Sequence, residues 1–398
     1  FGIFPVSEML AKVVRTRAPD HQLTGGAGYG FVRGPEDHVQ TQFAADGQGY
    51  ELTLAADGAT NDVLVKRATL KRPGFARLQA EIVDARGRRV HWRAFFDGGA
   101  GFGVDAIEKS TGEPADFDAY WARQKAFLAS VPMKLLERKP VPADRPDVNT
   151  NCTTWAVKIA CAGPRPVTGH LTVPRAAEQG QKFPARITFD GYGGDISRWE
   201  KAPHDGPADE IRLHINAHGY ELGKDSDYYS QFAKSIRAGN RSYALAASEH
   251  QQPTGCYFEG MTFRVMRGLE YLKSRPEWNG KDLIASGGSQ GGLQTIWAAA
   301  CGEGVTRAES GITWNCDMYT NGKLRKDPAL KLAADGWYIP WVDALGYYDA
   351  AIFGKRIPKS CRTVITRAGL GDYCCPPSGI AVLYNNLRCP KKINWIQG

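Results

Sequence analysis

One run, residues 282–300, restricts what this chain can become more than any other. Apolar residues of strand character (Leu283, Ile284, Ala285) lead into Gly287-Gly288-Ser289-Gln290-Gly291, and an apolar helical pattern begins at once. A strand that passes straight into a helix must turn sharply, and the turn is crowded. Gly287 and Gly291 stand where side chains would not fit, with Ser289 between them at the apex. Such a turn lifts the Ser289 hydroxyl above the sheet. It also leaves the Gln290 N–H at a helix amino end, where developing negative charge is stabilised. The spacing G-x-S-x-G is common by chance, and a glycine-serine loop can join strand to helix without chemistry. The strand–turn–helix setting is what gives it weight. A phosphate-binding loop would need Lys followed by Ser or Thr, or G-x-G-x-x-G, and this segment has neither.

Two styles of sequence meet near residue 115. Before it, short alternating runs (residues 50–55, 63–70, 78–84 and 90–96) are separated by turn signals such as Arg72-Pro73-Gly74 and Ala85-Arg86-Gly87. Period-2 alternation with turns every 8–12 residues or so predicts an antiparallel β-sandwich over residues 1–115. The glycine-rich residues 97–103 are expected to be a linker. Residues 116–130 carry Phe117, Tyr120, Trp121, Phe127 and Leu128 at helical spacing, with Asp116 placed to cap the amino end. Beyond them, apolar strands at 185–189, 211–216, 282–286, 311–314 and 363–366 alternate with helices, including 257–274 and 292–301. Strand–helix alternation predicts an α/β fold with a mostly parallel sheet flanked by helices over residues 116–398. In such sheets the chemistry sits at the carboxyl ends of the strands.

A serine hydroxyl needs a base to take its proton and a carboxylate to orient that base. With the chain order Ser, acid, His, two acids follow strands after Ser289. Asp372 lies in Gly369-Leu370-Gly371-Asp372-Tyr373-Cys374-Cys375-Pro376-Pro377, after the second strand beyond the serine, which is the usual acid position. Asp317 follows the first and is expected to brace a loop, while an ordinary turn aspartate is the plain reading of Asp372. All eight histidines precede Ser289. The catalytic histidine is therefore expected just beyond residue 398, on the loop after a final strand near Trp395, with His218 and His250 as fallbacks. The loop Phe189-Asp190-Gly191-Tyr192-Gly193-Gly194 fits a second oxyanion donor, the Tyr192 N–H, alongside Gln290.

These residues resemble the acetyl xylan esterase and cephalosporin C deacetylase family, carbohydrate esterase family 7, over about residues 116–398. The resemblance rests on Asp116-Phe117-Asp118-Ala119-Tyr120-Trp121, Gly169-His170-Leu171-Thr172-Val173-Pro174, Gly191-Tyr192-Gly193-Gly194, Gly287 to Gly292, and Gly369 to Pro377 with Tyr384-Asn385 after it. It implies an α/β-hydrolase fold with a Ser-Asp-His triad carried by Ser289 and Asp372. The implied oxyanion hole is the backbone N–H groups of Tyr192 and Gln290, and the family histidine falls a few residues past Gly398. The implied reaction is removal of acetate from acetylated xylo-oligosaccharides and related molecules, with no cofactor or metal. A ring-like homo-oligomer is implied too. The family's arginine-glycine-glutamine-glycine segment is replaced here by Ala217-His218-Gly219-Tyr220. Alternatives on the same scaffold are a feruloyl esterase, a peptidase or a non-catalytic carbohydrate-binding homologue.

Composition narrows the partners. The net charge of +8 comes from 50 basic residues spread thinly against 42 acidic ones, without the basic stripe that nucleic-acid binding requires. No run approaches the ~18 apolar residues of a membrane span. The numbering opens on Phe1 rather than methionine, so it is expected to start inside a longer precursor. Nine cysteines without paired zinc spacings predict export with some disulfides, one cysteine at least being left over.

Overall fold

The computed structural model describes residues 9–14, 38–46, 52–54, 58–60, 63–70, 72–84, 86–89, 95–142, 151–193, 208–239, 241–319, 339–372 and 374–397. The first seven strands form two antiparallel sheets. One joins β1 (Met9–Val14), β3 (Leu52–Leu54), β4 (Gly58–Thr60) and β5 (Val63–Leu70). The other joins β2 (His38–Asp46), β6 (Gly74–Val83) and β7 (Phe95–Phe102) in the order β2-β6-β7. Of the expected 90–96 strand, residues 90–94 lie outside the described residues, as do Tyr50, Glu51 and Ala55 of the 50–55 run.

Residues 97–102 are not a linker. They are the body of β7, paired with β6 from Gly74↔Phe102 to Glu81↔Phe95. Their glycines serve close packing rather than freedom. A Cβ on Gly99 would lie 2.4 Å from Ala76 O and 2.9 Å from Leu370 O, so any side chain there would push β7 off its neighbours. Only Gly103 keeps a turn character, at φ 54°.

The remaining nine strands make one sheet: β8 (Leu135–Pro140), β9 (Cys152–Ile159), β10 (Val167–Pro174), β11 (Phe183–Phe189), β12 (Ile211–Ile215), β13 (Trp278–Gly288), β14 (Arg307–Gly311), β15 (Arg362–Gly369) and β16 (Lys391–Ile396). Their order is β8-β9-β10-β12-β11-β13-β14-β15-β16, with β12 onward parallel and β8, β9 and β10 antiparallel. This is the mostly parallel sheet that the strand–helix alternation predicts, in the α/β-hydrolase arrangement that the family resemblance implies. The expected strand at 311–314 falls earlier, at β14, because Ile312 at φ 37° cannot continue an extended ladder.

Among the described residues, six helices accompany the sheet: α1 (Phe117–Ser130), α2 (Ser226–Ser235), α3 (Tyr257–Lys273), α4 (Gln290–Cys301), α5 (Ala350–Gly354) and α6 (Pro377–Asn386). The apolar residues of α3 and α4 are buried almost all round, as expected of helices lying between a sheet and further structure. Gly268 lets α3 approach the sheet, since a Cβ there would stand 2.9 Å from Ile187 Cδ1. At the amino ends of the central strands, Arg186 bridges Glu210 and Glu309 and ties three strands together. Asp116 does not cap α1 with its side chain. Its carboxylate instead accepts from the Tyr347 hydroxyl and pairs with Arg123.

The nine cysteines are all thiols, seven of them buried, and act as small apolar core residues. The expected disulfides are not formed, and the argument for export that leaned on them loses that support. Among the described residues no helix is long and apolar enough to cross a membrane.

Candidate active site

Ser289 sits where β13 becomes α4, with φ 56° and ψ −118°. A serine in this sparsely populated region costs on the order of 1–3 kcal/mol, which only a surrounding structure that over-determines it can sustain. That structure is visible. Ser289 N–H donates to Gly311 O at 2.9 Å, and Ser289 O accepts from Leu293 N and Trp314 N, each at 3.1 Å. A Cβ on Gly287 would stand 2.6 Å from Gly291 O and 2.8 Å from Phe189 O; on Gly291 it would stand 2.4 Å from Phe189 O. Both glycines of the elbow are thus required by backbone that cannot yield. Gly292 is a third, 2.8 Å from Gly311 O by the same measure. Gly288 is not crowded, its nearest neighbour being 3.7 Å away.

The side expected to hold the oxyanion is built from the loop after β11 and the start of α4. The Tyr192 ring stacks on Tyr243, centroids 4.3 Å apart and planes 11° from parallel, and meets Trp314 edge-on. Tyr192 OH donates to Tyr243 O at 2.6 Å. In return the Tyr243 hydroxyl accepts from Gly193 N at 2.9 Å and donates to Gln290 Oε1 at 2.7 Å. Burial raises the phenol pKa values of both tyrosines, so they stay neutral donors. Tyr243 is absent from the sequence-based list of site residues. It lies in an irregular stretch between α2 and α3, and nothing in its local sequence signals a role.

The side expected to hold the acid is the loop after β15. Asp372 Oδ1 accepts from Cys374 N at 2.8 Å and Cys375 N at 2.9 Å, so the aspartate shapes its own turn. That turn carries Cys375 Sγ to 3.8 Å from Ser289 Oγ. The loop is backed by β7: a Cβ on Gly371 would stand 2.5 Å from Asp97 Oδ1 and 2.6 Å from Gly98 N. Asp97 is itself fixed by Arg77 Nε at 2.7 Å and Gln79 Nε2 at 3.0 Å. The Gln397 side-chain amide donates to Gly99 O and accepts from Gly99 N, and Phe75 packs against Trp395 with centroids 5.2 Å apart. Leu370 N donates to Ile396 O at 2.9 Å, so the end of β16 lies beside the Asp372 loop.

Asp317, the other acid, is occupied elsewhere. Its buried carboxylate accepts from Ser110 N, Ser110 Oγ and Thr111 N, at 2.9, 2.8 and 2.7 Å, bracing the segment that follows β7. Beside it, Asp349 is pushed up to about 6 by burial and by the Asp317 charge, while accepting from Met318 N and Ala351 N.

Neither fallback histidine reaches the serine. His218 Nδ1 lies 2.6 Å from Tyr257 OH, its ring edge-on to Tyr243, and burial holds its pKa down at about 3. His250 Nε2 bonds Ala244 O at 3.0 Å, its ring stacks on Phe258, and burial lowers its pKa as well. Both are core histidines. His218 does approach the site indirectly, through Tyr243.

Known proteins bear on the fold and the family. The fold matches an acetyl xylan esterase from Paenibacillus sp. R4 (TM-score 0.55, 21% identity, covering 73% of this chain and 91% of that one). It also matches Acetyl Xylan Esterase 1 from Thermoanaerobacterium sp. JW/SL YS485 (TM-score 0.58, 20% identity, 73% and 90% covered). In sequence, the acetyl esterase Axe7A of Xylanibacter ruminicola is 23% identical over 333 residues, 83% of this chain and 71% of that protein. The model of the acetyl xylan esterase (AXE1) family matches residues 105–326, more than half of the chain. The chain belongs to the acetyl xylan esterase family and is a carboxylic ester hydrolase.

Proposed function

We propose that the protein removes acetate from acetylated carbohydrates such as xylo-oligosaccharides, through an acyl-serine intermediate on Ser289. The observation that carries the reading is the strained Ser289 backbone, held by three hydrogen bonds at a turn where Gly287 and Gly291 admit no side chain. Ser289 Oγ attacks the ester carbonyl carbon as a base takes its proton. The tetrahedral oxyanion accepts from the N–H groups of Tyr192 and Gln290, a contribution worth about 100- to 1000-fold in rate per donor. Collapse expels the sugar oxygen, which takes the proton back from the base. Water then repeats the sequence on the acyl-serine and frees acetate.

Asp372 is proposed as the acid that orients the base, and the base as a histidine on the segment that follows β16. Support for this pairing comes from the hydrogen bond that sets the end of β16 beside the Asp372 loop. A small acyl group suits the crowding of Ser289 Oγ by the buried Cys375 thiol. The test uses the full-length protein. Ser289→Ala should abolish release of acetate from acetylated xylo-oligosaccharides and from p-nitrophenyl acetate, with folding unchanged by circular dichroism. Retained activity would overturn the assignment. A rate that rises with acyl size, feruloyl over acetyl, would overturn the substrate.

A further inference from the structure

We infer that Tyr243 is the positioning residue of the oxyanion hole, a clasp that sets the distance between its two donors. One hydroxyl touches both halves of the site: it accepts from Gly193 N in the loop after β11 and donates to Gln290 Oε1 at the start of α4. These halves belong to segments about 100 residues apart in sequence, with no covalent reason to keep a fixed separation. The Tyr243 backbone is fixed as well, since its carbonyl accepts from Tyr192 OH and its ring stacks on the Tyr192 ring. The Tyr192 residue is thus held at its ring, its hydroxyl and its C-terminal neighbour by a single partner.

The Gln290 half of the clasp is buried, Tyr243 being 5% and Gln290 1% exposed, so water does not compete for the bond between them. Its back is closed by the His218 ring, edge-on with centroids 4.4 Å apart, and by Tyr257. The following residue, Ala244, takes φ 59°, an unusual conformation for alanine that turns the chain immediately after the clasp. Gln290 Nε2 has no partner among the described residues. Its amide is therefore oriented through Oε1, and Tyr243 is the group that orients it. Two donors acting on one oxyanion must each lie within hydrogen-bond range of a point that exists only in the transition state, and a displacement of ~1 Å can cost about 100-fold.

The assignment rests on Tyr192 and Gln290 as oxyanion donors, and Ser289→Ala serves as the separate check of that reading. Tyr243→Phe keeps the ring and removes the hydroxyl. Expected for p-nitrophenyl acetate is a kcat lower by about 10- to 100-fold, a KM within about twofold, and weaker inhibition by a boronic acid that mimics the tetrahedral state. Gln290→Met removes the same bond from its other end and should show the same split. It also stands in if Tyr243→Phe does not fold. The double variant should lose no more than Tyr243→Phe alone, because the bond that Gln290→Met removes is one of the two that Tyr243→Phe removes. A folded Tyr243→Phe with wild-type kcat, a raised KM at unchanged kcat, or losses that multiply in the double variant would each overturn the clasp. If Ser289→Ala is inactive while Tyr243→Phe is wild-type, only the clasp fails. If Ser289→Ala stays active, the assignment of Ser289 and of the oxyanion donors beside it fails.

Discussion

The two sides of Ser289 are held in place by different means. On the side proposed to hold the oxyanion, the loop after β11, the elbow and Tyr243 all belong to the central sheet and its crossovers, and buried or part-buried hydrogen bonds join them directly. On the acid side, the Asp372 loop has its own Asx-type turn and then leans on β7, a strand from the amino-terminal sheets. One side is fixed from within the hydrolase fold. The other borrows its backing from a strand that lies more than 250 residues earlier in the chain. Rigidity on the first side is intrinsic to the sheet, whereas on the second it depends on the docking of β6 and β7.

This difference can be tested by introducing one methyl group at a time. Gly291→Ala should have the largest effect, since its Cβ meets two backbone carbonyls, Phe189 O at 2.4 Å and Asp190 O at 2.8 Å. With no flexible side chain to move, the elbow must shift, and acetate release should fall by ~100-fold or more together with the melting temperature. Gly371→Ala meets the Asp97 carboxylate and the Asp97–Gly98 backbone instead. It should lower kcat by about tenfold, because the loop can retreat by displacing β7. A greater loss for Gly371→Ala than for Gly291→Ala would reverse the ranking of the two sides.

A smaller effect concerns pH. His218 is buried and neutral, with a folded pKa of about 3 against an ordinary 6.5. The unfolded chain therefore binds a proton that the folded chain refuses, and stability falls as pH drops from 6.5 toward 3. Urea midpoints at pH 4.5 and 7 should converge in His218→Gln relative to the parent. An unchanged difference would show that this histidine is not what the acid side of the stability curve reports. The smallest effect is expected for Gly288→Ala, whose Cβ has no neighbour closer than 3.7 Å, with stability altered by less than ~0.5 kcal/mol.

Much of the catalytic sheet was legible because its signals are local. The passage from β13 to α4 is written in consecutive residues, and the apolar runs at 185–189 and 211–216 match β11 and β12 closely. The family resemblance over residues 116–398 is matched as far as residue 326 by the family's own reach over residues 105–326. Misreadings arose where one composition serves two purposes. Glycines at 98, 99 and 101 look like a hinge, yet here they are needed because neighbouring strands and the Asp372 loop press against them. Asp116 has the type and place of a helix cap, but Tyr347, over 200 residues away, claims its carboxylate. Nine cysteines suggest disulfides by number, although the core simply uses them as small apolar groups.

The sequence by itself marked Ser289 as the candidate nucleophile and gave the strand–helix alternation around it, because turn sterics and hydrophobic period depend on neighbours along the chain. Only the tertiary structure decided that Tyr243 joins the two halves of the oxyanion side, that Asp317 braces residues 110–111, and that β7 backs the Asp372 loop. Each of these is a contact between groups far apart in sequence. Their energy comes from burial and from hydrogen bonds that exist only once the sheet has assembled, and no local pattern encodes them.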